Sequence, residues 1–183
     1  MSTANAKTEA GEGGSTGSSG RRIVTQVTSL DALVGAHPDA LRSIYKAGRV
    51  TDPVELGDAP RGALLSFSER NELFLLTRPL LRALDQGILP WKGKTFDHGG
   101  SSGQNLLFGK PVLRFHAEAG PSALDSRPSL VLRYDTPGHD NPWPFGSMVE
   151  ELRTVGQGIA IGPTMIAMGG GAAVLLWFGL AAR

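Results

Sequence analysis

Tyr134, Asp135, Glu151 and Arg153 are the side chains in this sequence best placed to do chemistry together. A phenol, two carboxylates and a guanidinium can share general acid–base work. They can equally orient one polar group of a ligand inside an apolar site. All four belong to a stretch that reads as a β-type run over 130–135, a Pro-rich aromatic turn, and a charged segment reaching Arg153. If 130–135 is a strand, Arg133 and Asp135 share one face while Leu132 and Tyr134 share the other. If 151–155 is also extended, Glu151 and Arg153 share a face. The competing reading is an Asp–Arg or Glu–Arg pair that closes a barrel end and contributes little if exposed. In Asn141-Pro-Trp-Pro each proline fixes its own φ and restricts the residue before it, so Trp143 is held stiffly, as a gate over a barrel mouth or as a plug in it. Trp91, Trp143 and Trp177 fall on or beside expected sheet segments, where core filling is the common use and cavity lining the rival. The candidate ligand-binding set is therefore Trp91, Tyr134, Asp135, Trp143, Glu151 and Arg153. No catalytic residue is assigned.

Other motifs carry less. Gly99-Gly-Ser-Ser-Gly103 matches the pattern of a nucleophile elbow, which needs a strand before it, a helix after it, and a later acid and histidine. Here short strands flank it, so it reads as a hairpin loop. Gly109-Lys110 is followed by Pro111, where a phosphate loop needs Ser or Thr for Mg²⁺. His37, His98, His116 and His139 show no ligand spacing such as HxxxH, so no metal and no cofactor are expected.

The elements that must position these residues follow from periodicity. A short helix is expected over 30–35, capped by Ser29. A second follows with Pro38 in its first turn, Leu41, Ile44 and Tyr45 on one face, and Gly48 ending it. A loop with Pro53, Gly57 and Pro60 precedes a strand over 62–67. Residues 69–86 have helical period, with Pro79 cutting or kinking the run and Gly87 as its C-cap. From Pro90 the pattern turns to short strands, over 91–96, 106–108, 111–116 and 130–135, with turn signals about every ten residues, as in an antiparallel sheet or barrel.

Composition bounds the rest. The 183 residues include no cysteine and carry a net charge of +1, with no long basic run. Disulfides and thiolate metal sites are excluded, a reducing compartment fits, and nucleic acid is not expected as a partner. Residues 1–22 are polar and Gly/Ser-rich and read as a disordered tail lacking the apolar core of a signal peptide. Residues 23–183 read as one domain, with a helical part over 29–89 and a β-rich part over 90–183. Between Arg153 and Arg183 no charge occurs, so 156–182 is long enough for a membrane helix. Its glycines and Pro163 instead favour two buried strands joined by a glycine turn, and a cytoplasmic protein in preference to a membrane-associated one.

Trp91-Lys-Gly-Lys-Thr-Phe-Asp97, Leu132-Arg-Tyr-Asp-Thr-Pro137, Glu151-Leu-Arg-Thr-Val155, Ile159-Ala-Ile-Gly162 and Leu175-Leu-Trp-Phe-Gly-Leu180 together resemble bacterial GXWXG proteins of the DUF4334 type. The G-x-W-x-G signature itself is absent, and Asn141-Pro-Trp-Pro is not part of that pattern. The resemblance implies a small lipocalin-like barrel and no settled activity. The expected fold is mainly β (α+β): a small antiparallel barrel or half-barrel with short helices at one end. The leading expectation for function is a hydrophobic small molecule bound in the barrel mouth without catalysis. The alternatives are an enzyme acting on such a ligand through Asp135 and Glu151 with Tyr134, an interaction domain with a filled core, and a membrane anchor through 156–182. No oligomeric state is implied.

Overall fold

The computed structural model describes residues 27–68, 91–168 and 171–183. The expected disordered tail and the helical run over 69–86, with Pro79 and Gly87, lie outside the described residues. The described strands are β1 (Arg49–Val50), β2 (Arg61–Phe67), β3 (Trp91–Phe96), β4 (Ser102–Leu107), β5 (Lys110–Pro121), β6 (Pro128–Arg133), β7 (Met148–Gly156), β8 (Ile159–Met168) and β9 (Gly171–Ala181). Strands β2 to β9 pair in sequence order, all antiparallel, and β9 returns to β2 with Phe178 opposite Leu64 and Leu180 opposite Gly62. The result is a closed eight-stranded barrel with no free edge among these strands. β1 extends the sheet beside β7, pairing Val50 with Arg153 just past the Leu130–Leu152 pair of β6 and β7.

The apolar run over 158–180 is the hairpin β8–β9, with Ile161 opposite Gly179 and Thr164 opposite Leu176. Gly162 explains part of its glycine content. A Cβ there would fall 1.5 Å from the Glu151 carbonyl oxygen, so β8 could not lie this close to β7 with any other residue. No helix among the described residues is long and apolar enough to cross a membrane.

Two apolar layers share the barrel wall. Inside, Phe96, Phe115, Leu130, Leu132, Leu152, Phe178 and Leu180 pack together with Leu56. Outside, Leu30, Leu33, Leu41 and Tyr45 pack on Ala63, Leu65, Ile159, Ile161 and Trp177. Each fully buried side chain of this kind contributes about 1.5–3 kcal/mol of burial free energy.

Helix α1 (Pro38–Ala47) begins with proline in its first turn, receives a cap from His37 on the Asp39 N–H, and ends at Gly48. Its Leu41 and Tyr45 are fully buried on one face, as the period requires. The expected helix over 30–35 is a single 3-10 turn, Asp31–Leu33, with the Ser29 hydroxyl accepting from the Asp31 N–H. The expected loop at Pro53 contains a one-turn helix, α2 (Pro53–Leu56), because Asp52 caps the Val54 N–H and proline presets the first turn. The segments expected to be short helices at one end, 30–35 and the helix begun by Pro38, pack together on the outer wall through Leu30, Leu33, Leu41 and Tyr45. α1 lies against the outer wall, through Tyr45 on Trp177 at 5.8 Å, while α2 drives Leu56 into the interior layer.

Candidate functional site

At mid-height the barrel interior holds a charged layer. Lys94 on β3 is fully buried and donates to Glu150 Oε2 at 2.6 Å, to the Tyr134 hydroxyl at 2.8 Å and to Asn105 Oδ1 at 2.8 Å. Tyr134 in turn donates to Glu150 Oε2 at 2.7 Å and accepts from Asn105 Nδ2 at 2.8 Å. Thr164 donates to Glu150 Oε1 at 2.8 Å, and Trp91 Nε1 donates to Asn105 Oδ1 at 2.9 Å. The Lys94 ammonium also lies 5.2–5.7 Å from the ring centroids of Trp91, Phe115, Tyr134 and Phe178. Such contacts strengthen when desolvated. Burial pushes the Lys94 ammonium below its ordinary range against the opposing pull of Glu150. Burial, reinforced by the Glu150 carboxylate, pushes the Tyr134 hydroxyl well above its ordinary value.

Two irregularities put these groups on one side of the wall. Trp91 and Lys94 are three residues apart and would face opposite ways in a regular strand. A bulge between Trp91 and Gly93 opposite Leu107 and Leu106 adds one residue, and Gly93 takes the positive φ of 129° that this requires. On β5 a second register shift leaves Leu113 extra between Val112 and Arg114, at a φ of 52°. A leucine in that region is strained by roughly 1–2 kcal/mol.

Above the charged layer the barrel opens into a cavity of about 230 Å³. Its apolar lining is Leu64, Trp91, Leu107, Leu113, Phe145, Met148, Leu176 and Phe178. The polar residues among its lining are Asn105, Glu150 and Thr164. Lys94 and Tyr134 stand behind them. Below the layer, Phe96 and Phe115 in edge contact at 5.6 Å, with Leu130, Leu152 and Leu180, fill the interior. The arrangement is a filled base, a polar floor, and an apolar chamber that opens toward the β4–β5 turn and the 134–147 loop.

The sequence-derived candidates divide around this cavity. Trp91 lines it and Tyr134 joins its floor network. Glu151 and Arg153 are buried but face the outer layer. Glu151 Oε2 accepts from the hydroxyls of Tyr45 and Ser122, each at 2.5 Å, and its Oε1 accepts from the Ala123 N–H at 2.6 Å. Arg153 makes a bidentate pair with Asp125 at 2.7 and 2.8 Å and lies 4.4 Å from the Tyr45 ring centroid. These bonds tie α1 and the β5–β6 turn to the wall, and the Arg153 guanidinium holds the Asp125 carboxyl down to about 2. Asp135 is exposed just beyond β6. Neither Asp135 nor Glu151 lines the cavity, because the alternation that turns Tyr134 and Glu150 inward turns their neighbours outward. Trp143 is 86% exposed, which excludes a buried plug. Its neighbour Phe145 is the residue of that loop that reaches the cavity. Asn141 anchors the loop through Nδ2, donating to the carbonyls of Arg114 and Tyr134. Gly99-Gly-Ser-Ser-Gly103 is the β3–β4 hairpin turn, where the Ser102 hydroxyl donates to Asp97 and a strand follows in place of a helix.

Sequence reasoning missed Lys94, Asn105, Glu150 and Thr164. One signal was present: a glycine inside a strand pattern, Gly93, marks a bulge and therefore a change of face. Glu150 carried no distinguishing signal beside Glu151.

No family model matches the chain, and no curated protein matches it. Among solved structures, a crystal structure of a protein from Thermomonospora curvata is similar, with a TM-score of 0.52 and 12% identity over 84% of this chain and 93% of that one. At that identity the likeness is one of fold: this chain shares a small β-barrel with that protein.

Proposed function

We propose that this barrel binds a small, largely apolar molecule in the chamber above Lys94 and Glu150, a lipocalin-like use of the fold. The observation that carries the reading is the contrast within one interior. The base is packed tight with aromatic and leucine side chains, whereas the opposite half keeps an apolar chamber. A merely structural barrel would fill both halves, since empty apolar space forgoes dispersion contacts. A chamber of about 230 Å³ lies below the roughly 300–1,000 Å³ of sites for drug-sized ligands, so the ligand is compact. The GXWXG/DUF4334-type resemblance is compatible with this use, since its Trp-x-Gly-Lys-x-Phe run supplies Trp91 to the chamber and Lys94 to its floor.

Titration with the fluorescent apolar probe aminoanthracene tests the proposal. Saturable binding is expected in the wild type, and Leu176→Trp, which fills the chamber, should abolish it. Native mass spectrometry of protein taken from its host should show a retained mass. A wild-type protein with no saturable binding, even after extraction of any retained molecule, would remove the ligand reading and leave a structural one.

A further inference from the structure

The hydrogen-bonding capacity left on the chamber floor specifies the polar end of its ligand, an inference that rests on the cavity reading above. Lys94 has three N–H donors, and Glu150, Tyr134 and Asn105 take all three. Tyr134 gives its one proton to Glu150 and accepts twice, from Lys94 and Asn105, so it too is complete. Asn105 Oδ1 receives Trp91 Nε1 and Lys94 Nζ, two donors, which fixes the amide orientation and turns Nδ2 toward Tyr134. One N–H of that Nδ2 remains. Glu150 Oε2 accepts twice, but among the described residues Oε1 accepts only from Thr164, whose own oxygen can still accept. The groups with capacity left are Asn105, Glu150 and Thr164, and these three are the polar residues on the chamber lining. The two with none, Lys94 and Tyr134, lie behind them.

We infer that the ligand carries a hydroxyl group, an alcohol or phenol on a compact apolar body, whose O–H donates to Glu150 Oε1 and whose oxygen accepts from Asn105 Nδ2. An ether or ketone can only accept and leaves the carboxylate lone pair unmatched on the floor of an apolar chamber, which is costly. A carboxylate ligand places like charge against Glu150, whose partner cation is already fully engaged. An unsubstituted hydrocarbon matches neither group. Sites that hydrogen-bond a substrate hydroxyl discriminate far more strongly than sites that only contact carbon.

Displacement of aminoanthracene by two isomers, n-octanol and heptyl methyl ether, separates the possibilities. The isomers share their atoms and differ in the ability to donate. The alcohol is expected to bind at least about tenfold more tightly, although it loses more hydration on entry. Glu150→Gln should reduce that preference to about threefold or less. Because that substitution also leaves Lys94 without its anion, Thr164→Val is the companion variant. It frees Oε1 without touching Lys94, and should raise the preference for the alcohol over the ether by about threefold or more, whatever the added methyl on the lining does to both. Equal binding of the two isomers to the wild type would overturn the hydroxyl inference and leave the apolar chamber standing. Parallel changes for both isomers in Thr164→Val would do the same. A wild type that binds neither the isomers nor the probe would overturn both readings.

Discussion

Glu150 and Glu151 are adjacent on β7 and both almost fully buried, yet their carboxylates lie on opposite sides of the barrel wall. Glu150 meets Lys94 inside at 2.6 Å, and Glu151 meets Tyr45 outside at 2.5 Å. Strand alternation separates them, and α1 over the outer face is what buries the second. The inner carboxylate belongs to the candidate site, while the outer one holds the helix in place.

The inner pair should behave as a buried ion pair. Lys94→Met alone leaves the Glu150 carboxylate without its cation and is expected to cost about 3–5 kcal/mol. The double variant Lys94→Met with Glu150→Leu should recover most of that loss, since an apolar replacement of a whole buried pair is often neutral or stabilising. Urea unfolding of the two variants checks this. A double variant no more stable than the single one would show that the layer does more than pair charges.

The outer pair should matter for stability and not for binding. Tyr45→Phe removes a donor from Glu151 and is expected to cost about 1–3 kcal/mol while aminoanthracene affinity stays unchanged. Thermal melts and the probe titration on the same preparation measure both. A large loss of affinity at undiminished stability would move Glu151 into the functional site.

Asp125 gives the pH dependence a sign. Its folded carboxyl is held at about 2 by Arg153, below the ordinary unfolded value of about 3.9. The unfolded chain therefore binds a proton first as pH falls. The stabilisation is complete above about pH 4 and is lost as pH drops toward 2. The contribution is on the order of 2 kcal/mol. Asp125→Asn should be less stable than wild type at neutral pH and should flatten this part of the profile. Denaturant midpoints from about pH 2 to about pH 6, a window that covers both values and the plateau above them, would reveal an unchanged slope if the pair contributed nothing.

The loop over 134–147 separates two aromatic residues by exposure. Trp143→Ala, at 86% exposed, should change stability by no more than about 0.5 kcal/mol. Phe145→Ala removes part of the chamber lining and should weaken aminoanthracene roughly fivefold, the ~1 kcal/mol expected from losing some apolar contact. Reversal of that order would make Trp143 the gate that its stiff flanking prolines suggest.

Local signals are enough to locate α1, β2, β3 and the 130–135 strand, through a proline start and glycine stop or a short β-type run between turn residues, and the glycines and Pro163 of the last run point to the β8–β9 hairpin. Strand alternation also placed Leu132 and Tyr134 on one face and Arg133 and Asp135 on the other, as the barrel has them. The 156–182 run was ambiguous for a reason now visible. Ala160, Phe178 and Leu180 face the interior, while Ile159, Ile161 and Trp177 face the N-terminal helices, so both faces are apolar and the alternation that marks a half-exposed strand is erased. A run apolar on every side reads the same for a membrane helix and for a strand between two cores.

The amino-acid sequence by itself determined a cysteine-free, nearly neutral chain whose second half must form antiparallel strands, since local propensity and turn chemistry act over a few residues. Only the tertiary structure decided which polar groups meet. Lys94, Asn105, Tyr134, Glu150 and Thr164 come from β3, β4, the end of β6, β7 and β8, and a bulge at Gly93 sets the face that β3 presents. Barrel closure, and the placement of α1 over one side of the wall, then settled that Glu150 faces the chamber and Glu151 does not. Neither is a local property of the chain, because both depend on contacts between segments far apart in sequence.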